Sequence, residues 1–288
     1  MKVAIFGLGL MGGSLARDLA GLGHHVRGAD TDEAAVDAAL AEHVINARGS
    51  PDGDGVADAD VVVLAVPVQA TSSLLARLAP HLAHARLIMD LGSTKSGVMT
   101  AASDAGLADR FIGAHPMTGR ERSGWHASRP GLFANAPVYL CPPEQHPTVA
   151  RDREACDRTL RMAVEFWHQL GAVPEVTTAA AHDRRVAWTS HLPQLMATGL
   201  AHVLRDAGYS RSELGPGGSD MTRLAGSDPR MWTGIACENA GEIVPALDAI
   251  IAALEGLRAA VNSRRSEVLH PAFDAARQWV IESPPQEP

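Results

Sequence analysis

Glycines and an aspartate near the start of the chain have the spacing of a dinucleotide-binding loop. Gly7, Gly9 and Gly12 form a G-x-G-x-x-G pattern between the apolar run Val3–Phe6 and a helical stretch. Glycines of this kind permit a tight turn and a close backbone approach, while the N-terminus of the helix offers N–H groups to a pyrophosphate. Asp30 follows Gly12 by 18 residues, near the spacing expected for a carboxylate that binds the adenosine ribose.

The acid at position 30 predicts NAD as the cofactor in preference to NADP. A carboxylate accepts hydrogen bonds from two ribose hydroxyls but repels a 2′-phosphate. Arg27 would soften this discrimination if its side chain turned toward the ribose. We expect Leu10 and Met11 in the loop, and Val66 and Pro67 after another apolar run, to complete the cofactor site.

Polar side chains also follow apolar runs farther along the chain. Ser93 lies in the segment Gly92–Lys95, and His115 directly follows the next apolar run. Ligands of open parallel sheets bind outside the carboxyl ends of the strands, so both positions are candidates for function. A histidine there can accept a hydroxyl proton near neutral pH, as the oxidation of an alcohol requires. Lys95 and Lys2 are the only lysines among 25 basic residues, which hints that a compact ammonium is needed at position 95.

Six short apolar runs separated by helical stretches define the first half of the chain. The runs are mostly apolar and do not alternate with polar residues, which is typical of a parallel sheet covered by helices on both faces. They lie at Val3–Phe6, His25–Ala29, Asp60–Val66, Leu87–Leu91, Phe111–Ala114 and Ala136–Leu140. We predict an α/β fold in which a doubly wound parallel Rossmann sheet is followed by an all-helical second domain.

The second half of the chain has a helical pattern. No comparable strand pattern follows the Pro142-Pro143 doublet, and helical segments lie near 150–171, 178–207 and 238–262. We expect a dinucleotide-binding domain at residues 1–148 and a helical substrate and dimerisation domain at residues 149–288. In the last segment, one apolar stripe contains Ile243, Leu247, Ile250, Leu254, Leu257 and Val261. A core helix and an oligomer seam both fit this stripe, and we favour a helical domain that also forms a homodimer.

The predicted helix around His191 carries other polar and aromatic side chains. Arg184 and Trp188 precede His191 by seven and three residues, so we expect all three to share one face of the helix. Pro193 is expected to kink the helix, because it cannot donate to the carbonyl of Thr189.

The composition excludes several classes of protein. The chain has 288 residues, of which 46% are hydrophobic and 20% charged, so general disorder is not expected. A net charge of −8 gives no attraction to nucleic acid or to an anionic membrane. Three separated cysteines without CxxC spacing predict no metal site and no disulfides, which favours a cytoplasmic location. No apolar run approaches the roughly 20 residues that span a bilayer.

Several motifs, in order along the chain, resemble the prephenate and arogenate dehydrogenases of tyrosine biosynthesis. They are the glycine loop, GSTK at 92–95, GAHPMTG at 113–119, SHLP at 190–193 and DMTRLAGSDPRMW at 220–232. The resemblance implies a two-domain dimer that uses NAD in the oxidative decarboxylation of prephenate to 4-hydroxyphenylpyruvate. It also implies that any feedback by tyrosine acts at the active site, because the chain has no room for a fused mutase or amino-acid-sensing domain.

The resemblance also implies roles for individual residues. His115 matches the histidine that accepts the proton of the ring hydroxyl, and Ser93 matches a serine that orients that hydroxyl. Arg223 matches an arginine that holds a substrate carboxylate, for which a guanidinium fork is well suited. His191 matches a histidine on the substrate side, and Arg122 is a further candidate for substrate binding.

One segment departs from the family pattern. The chain has Arg120-Glu121-Arg122 followed by Trp125, where the family has a small hydroxyl residue and then Glu-Lys. We expect two guanidinium groups and an indole near the substrate mouth. The added positive charge favours prephenate, a dianion, over arogenate, whose side chain carries an ammonium. Arogenate and an amino-substituted ring analogue remain alternatives.

Two other functions agree with part of the sequence. A β-hydroxyacid dehydrogenase also opens with such a glycine loop, but it uses a lysine on a helix, and neither lysine lies in the helical half. A non-catalytic dinucleotide-sensing module would be favoured if His115 or Arg223 pointed away from the cofactor crevice.

Overall fold

The described part of the chain comprises residues 1–53, 56–119, 123–143 and 153–282 of a computed structural model. The chain divides into two compact units, residues 1–240 and residues 241–288. The strands of the described residues all belong to the first unit.

A mostly parallel sheet runs through the first unit. In chain order, the strands in the described residues are β1 (Lys2–Phe6), β2 (His25–Ala29), β3 (Ala47–Arg48), β4 (Val61–Leu64), β5 (Leu87–Asp90), β6 (Phe111–Pro116), β7 (Pro137–Cys141) and β8 (Val173–Val176). Their order across the sheet is β3-β2-β1-β4-β5-β6-β7-β8, and β6 and β7 alone run antiparallel. The strand order reverses beside β1, which is the doubly wound arrangement that the sequence predicts.

Helices follow most of the strands and make up most of the chain after residue 153. Those up to the last strand are α1 (Leu10–Gly21), α2 (Glu33–Ala41), α3 (Val68–Leu78), α4 (Ser96–Asp104) and α5 (Arg153–His168). The later ones are α6 (Ala179–Val186), α7 (Leu192–Asp206), α8 (Pro216–Thr222), α9 (Pro229–Glu238), α10 (Ala240–Asn262) and α11 (Ser266–Glu282). The predicted fold class, a Rossmann sheet followed by helices, is confirmed.

The central strands are buried on both faces. Alternate residues point to opposite sides, so Ile5 and Val63 belong to one buried cluster, and Phe6 and Leu64 belong to the other. All four residues of β4 and of β5 are buried. Continuous apolar strands are therefore required, because a polar side chain on either face would lose its hydration.

Strand β8 lies beyond Pro143, where the sequence analysis expected helices alone. Its side chains are mostly exposed and include Pro174 and Glu175, so no apolar run marks it. An edge strand pairs on one side only and needs little apolar surface, which explains why its sequence gives no signal. The predicted boundary between residues 148 and 149 stays a prediction.

Trp125 packs against α1, contrary to the expectation that its indole stands at the substrate mouth. The residue is 4% exposed, and its Nε1 donates to Glu42 at 3.0 Å. The guanidinium of Arg17 lies 4.3 Å from the ring centre and forms an ion pair with Glu42 at 2.8 Å. A buried indole with a satisfied donor stabilises the fold and is not available to a ligand. Arg120 and Arg122, the other groups of that expectation, lie outside the described residues.

The second unit contains α10 and α11 and carries uncovered apolar surface in the single chain. Of the predicted stripe on α10, Ile243 is buried, but Leu254 is 47% exposed and Val261 is 61% exposed. On α11, Phe273 and Trp279 are also largely exposed. None of the helices in the described ranges combines the length and apolarity needed to cross a bilayer.

We predict that Trp125→Phe lowers the free energy of unfolding by about 1 kcal/mol, because phenylalanine keeps most of the buried ring but loses the bond to Glu42. Trp188→Phe is the matched control, since Trp188 is 48% exposed, and a change below about 0.5 kcal/mol is expected there. Urea denaturation of both variants measures the difference. Equal losses in the two variants would contradict the structural role of the indole.

Candidate active site

The glycine loop between β1 and α1 has the shape of a phosphate cradle. Gly7 has a φ of +94°, and a Cβ there would overlap the carbonyl oxygen of Ala65. A Cβ on Gly12 would overlap the carbonyl oxygen of Gly7, so only glycine lets α1 begin this close to the strand. At Gly9, by contrast, a Cβ would meet no atom of the described residues within 4 Å. This open space at the N-terminus of α1 fits a pyrophosphate.

Asp30 lies at the end of β2 and is tied to the glycine loop. Its Oδ2 accepts from the backbone N–H of Leu8 at 2.6 Å, and its Oδ1 accepts from that of Asp32 at 2.9 Å. These bonds hold the carboxylate beside the loop, where ribose hydroxyls can reach its remaining lone pairs. Arg27 lines a surface pocket with Lys2, near the start of β1. This position gives Arg27 no evident part in binding the ribose.

The other predicted cofactor residues lie around the same loop. Leu10 and Met11 are the first residues of α1, and both pack against the buried cluster that contains Ile5 and Val63. Val66 follows β4, and its Cγ1 would lie 3.3 Å from a Cβ on Gly7. Pro67 occupies the position directly before α3. The loop, the start of α1 and the residues after β4 therefore lie together at the carboxyl edge of the sheet.

His115 lies near the carboxyl end of β6 and contacts a second histidine. Its Nδ1 is 2.9 Å from Nε2 of His182, which lies on α6. The two rings meet edge to face, with centroids 5.1 Å apart. Nδ1 of His182 is in turn 2.8 Å from Oδ1 of Asp183. The three side chains form a continuous chain from α6 to the edge of the sheet.

Asp183 connects this chain to the loop that carries Ser93. Its Oδ1 accepts from the backbone N–H of Lys95 at 2.8 Å, and its Oδ2 accepts from that of Ser96 at 2.7 Å. Burial alone would raise the pKa of Asp183, but the hydrogen bonds from His182 and from the start of α4 outweigh it and lower the pKa to about 2. The carboxylate is therefore ionised at neutral pH.

Lys95 is fully buried and holds two strand ends together. Its Nζ forms a short ion pair with Asp90 at the end of β5 and donates to the carbonyl oxygen of Ala114 on β6 at 2.8 Å. Asp90 also accepts from the backbone N–H of Gly92 at 2.9 Å. The compact ammonium is thus needed for positioning the loop. A lysine engaged in this way cannot serve as the catalytic lysine of a β-hydroxyacid dehydrogenase.

Burial governs the charge state of His115. Its pKa lies well below the ordinary imidazole value, first because the ring is desolvated and next because His182 and Lys95 disfavour a further positive charge. Asp183 opposes this shift only in part. His115 is therefore neutral at physiological pH and can accept a proton.

His191 is buried beside the same cluster. Its Nδ1 is 3.1 Å from the amide nitrogen of Asn239, which also donates to the backbone carbonyl of Asp183 at 2.9 Å. The indole of Trp232 meets its ring edge to face at 5.9 Å. Burial lowers the pKa of His191 to about 4, with a smaller contribution from His182. This histidine is also neutral near pH 7.

The expectation that His191 shares a face with Arg184 and Trp188 is wrong. His191 is 1% exposed, whereas Trp188 is 48% exposed and Arg184 is also exposed. The segment Ala187–His191 forms a π-helical turn just before Pro193. Each residue of such an i→i+5 turn adds less rotation than in an α-helix, so His191 turns away from the two earlier residues.

The remaining predicted substrate residues are Ser93, Arg223 and Arg122. Ser93 is partly buried in the loop between β5 and α4, two residues before Lys95. Arg223 is exposed and begins a 3-10 turn after α8. The carbonyl of the next residue, Leu224, accepts from Gln194 at 2.8 Å, which joins that turn to α7 just after His191. Arg122 lies outside the described residues.

Sequence reasoning missed three members of the site, namely His182, Asp183 and Asn239. A signal for the first two was present, because His182 and Asp183 stand next to each other about two helical turns before His191. Asn239 had no comparable signal, since it lies at the end of α9 and meets His191 only through tertiary packing.

Comparisons with known proteins agree with the motifs. The model of the nucleotide-binding domain of prephenate dehydrogenase matches residues 15–175, and the model of its dimerization domain matches residues 178–275. Cyclohexadienyl dehydrogenase from Zymomonas mobilis is 33% identical over 96% of this chain and 94% of its own length. Prephenate dehydrogenase from Bacillus subtilis is 33% identical over 96% of this chain and 74% of its own length.

The fold agrees with a solved structure of the same kind. Prephenate dehydrogenase from A. aeolicus, in complex with hydroxyphenyl propionate and NAD+, superimposes with a TM-score of 0.85. It is 26% identical and the match covers 98% of each chain. Since both domain models match in order and relatives align over nearly the whole sequence, the chain belongs to the prephenate dehydrogenase family and is an NAD-dependent dehydrogenase.

Proposed function

We propose that this enzyme converts prephenate to 4-hydroxyphenylpyruvate by oxidative decarboxylation, as a step of tyrosine biosynthesis. The observation that carries the proposal is the neutral, desolvated His115 at the carboxyl edge of the sheet, the same edge at which the glycine loop follows β1. The names of the relatives support the same substrate class. A merely sensing module would have no need for a buried histidine cluster at this edge.

His115 acts as the proton acceptor in this proposal. Bound NAD supplies the acceptor for the hydride that leaves the hydroxyl-bearing ring carbon. His115 accepts the hydroxyl proton as the carbonyl forms. Loss of the ring carboxylate as carbon dioxide then returns an electron pair to the ring and generates an aromatic phenolate, to which His115 can return the proton. A base with a lowered pKa is ready for the first transfer and does not retain the proton.

The other side chains orient the substrate. In this proposal Ser93, in the loop held by Lys95 and Asp183, hydrogen-bonds the same hydroxyl as His115. Arg223 would hold a carboxylate of the substrate in a bidentate contact. His191 contributes a neutral ring on the substrate side, because its pKa of about 4 keeps it unprotonated.

Prephenate is the proposed substrate, and arogenate is the alternative. The two differ in a keto acid or an amino acid side chain, so charge at the substrate mouth decides between them. The sequence has two guanidinium groups, Arg120 and Arg122, where the family pattern has a small hydroxyl residue and then Glu-Lys, and the added positive charge favours a dianion without an ammonium. Arg122 is proposed on this ground as a substrate-binding residue.

A homodimer formed through the helical part of the chain completes the proposal. Leu254, Val261, Phe273 and Trp279 are exposed in the single chain, and apolar surface of this extent is typical of an interface. The match to a dimerization domain supports the same assembly. We propose a cytoplasmic location, since the enzyme draws on a diffusible pool of NAD.

The decisive experiment incubates the purified protein with each pairing of NAD or NADP and prephenate or arogenate, and follows the reduced nicotinamide by absorbance. The highest kcat/KM is expected for NAD with prephenate, because Asp30 would repel the 2′-phosphate and the sequence carries two guanidinium groups at positions 120 and 122. No turnover with any pairing would refute the function. Higher kcat/KM with arogenate would refute the choice of substrate.

We predict that His115→Asn lowers kcat by about 10²–10⁴-fold, since asparagine cannot take up the proton. NAD affinity, measured by fluorescence titration, is expected to stay unchanged. In the unsubstituted enzyme, kcat/KM is expected to persist as the pH falls through the usual imidazole range and to drop only below it, because the pKa of His115 is lowered. His202→Asn, on the exposed face of α7, is the control, and equal kcat values in the two variants would show that His115 is not the base.

We predict that Asp30→Ala raises the Kd for NAD about tenfold or more, since a carboxylate bonded to ribose hydroxyls contributes more than about 1.4 kcal/mol. The ratio of NADP to NAD affinity is expected to increase as the repulsion is removed. Asp32→Ala is the matched control, because Asp32 caps α2 two residues away through a bond to Ala34. An unchanged cofactor preference in Asp30→Ala would assign ribose selection to another group.

A further inference from the structure

The chain from Asp183 through His182 to His115 determines where the protons lie. Asp183 is ionised and can only accept hydrogen bonds, so Nδ1 of His182 must carry the proton in their 2.8 Å contact. In a neutral imidazole the other nitrogen is then an acceptor. Nε2 of His182 therefore accepts from Nδ1 of His115 at 2.9 Å.

The charge balance around Asp183 supports a neutral His182. The carboxylate already accepts the backbone N–H groups of Lys95 and Ser96 at the N-terminus of α4, where the helix dipole is positive. The positive end of α4 already neutralises part of the negative charge of the Asp183 carboxylate. Less of that charge is therefore left to stabilise a doubly protonated His182. The buried ammonium of Lys95 is close by as well, so a second cation in the cluster is costly.

We propose that His182 and Asp183 are positioning residues that hold His115 in the tautomer protonated at Nδ1. This proposal rests on the proposed function, since it explains how His115 presents an unprotonated Nε2 to the substrate hydroxyl. When Nε2 takes up the proton, the Nδ1–H bond to His182 persists, and the new positive charge is shared along the chain toward Asp183. The relay thus fixes the direction of proton transfer before substrate binds.

Packing around the relay limits other orientations. His182 is 1% exposed and Asp183 is 3% exposed, and the ring of Tyr139 lies edge to face with His182 at 5.6 Å. Asp183 is held by two backbone donors, so the carboxylate cannot turn away from His182 without leaving those donors unpaired. Because Asp183 and Tyr139 hold the His182 imidazole on two sides, the ring has one favourable orientation. The contact with His182 restricts the orientation of the His115 ring in the same way.

Nitrogen NMR of the histidine-labelled protein with NAD tests the tautomers without requiring turnover. Both His115 and His182 are expected to show the Nδ1–H form, with signals assigned by their loss in His115→Asn and His182→Phe. In His182→Phe, the His115 signal is expected to leave the pure Nδ1–H form. A His115 protonated at Nε2 in the unsubstituted protein, or unaffected by His182→Phe, would overturn the proposal, as would a doubly protonated His182.

Kinetics with prephenate distinguish positioning from a general structural role. His182→Phe is expected to lower kcat by about tenfold or more, because His115 loses its acceptor, while KM and the Kd for NAD stay within about twofold. His182→Gln is expected to restore most of the kcat, since its amide oxygen can replace Nε2 as acceptor. His202→Gln is the surface control.

Two kinetic results would contradict the relay. One is a kcat of His182→Phe equal to that of His202→Gln, and the other is an equal loss of kcat in the Phe and Gln variants at position 182. Failure of the proposed function would instead appear as no turnover of prephenate by the unsubstituted enzyme, and the NMR result would still decide the tautomers.

Discussion

The buried carboxylate of Asp183 makes the contacts on which the candidate active site depends. The carboxylate accepts hydrogen bonds from the start of α4 and from His182. Through these bonds Asp183 joins the loop after β5 to α6 and, by way of His182, to His115 at the end of β6. Burying a charge is costly unless its lone pairs are used, and here each oxygen has a backbone donor. The same contacts satisfy N–H groups that a helix N-terminus would otherwise leave unpaired. Protein stability and catalytic geometry therefore share these bonds.

The sheet could be predicted because its signals are local. Continuous apolar runs such as Val61–Leu64 mark strands buried on both faces, and the glycine loop identifies the first crossover without any knowledge of distant contacts. At the margin of the sheet, apolar runs no longer identify the strands or their direction. Strand β8 has exposed side chains, and the antiparallel pairing of β6 and β7 depends on how the chain returns, which no apolar pattern encodes. Trp125 was misplaced for a related reason, since only tertiary packing brings it to Arg17 and Glu42.

The cofactor half and the substrate half of the candidate active site differ in how much of each can be predicted from the sequence. The proposed cofactor residues were suggested by local spacing, because Gly7, Gly12 and Asp30 belong to one βαβ unit. On the substrate side, His115 and His182 are 67 residues apart in sequence and meet only when α6 packs on the sheet edge. Family resemblance supplied His191, but not the π-turn that rotates it away from Trp188. Helical periodicity cannot anticipate such a turn, since the preceding residues show an ordinary α-helical pattern.

The outer margin of the sheet has a consequence for aggregation. Strand β8 forms one margin of the sheet and contains Pro174, which has no N–H to donate, and the charged Glu175. The opposite margin is β3, which has only two residues. Neither margin offers a long row of donors and acceptors on which another polypeptide could extend the sheet. Strand addition between copies at these margins is therefore disfavoured, and the risk of fibril-like stacking through the sheet is low.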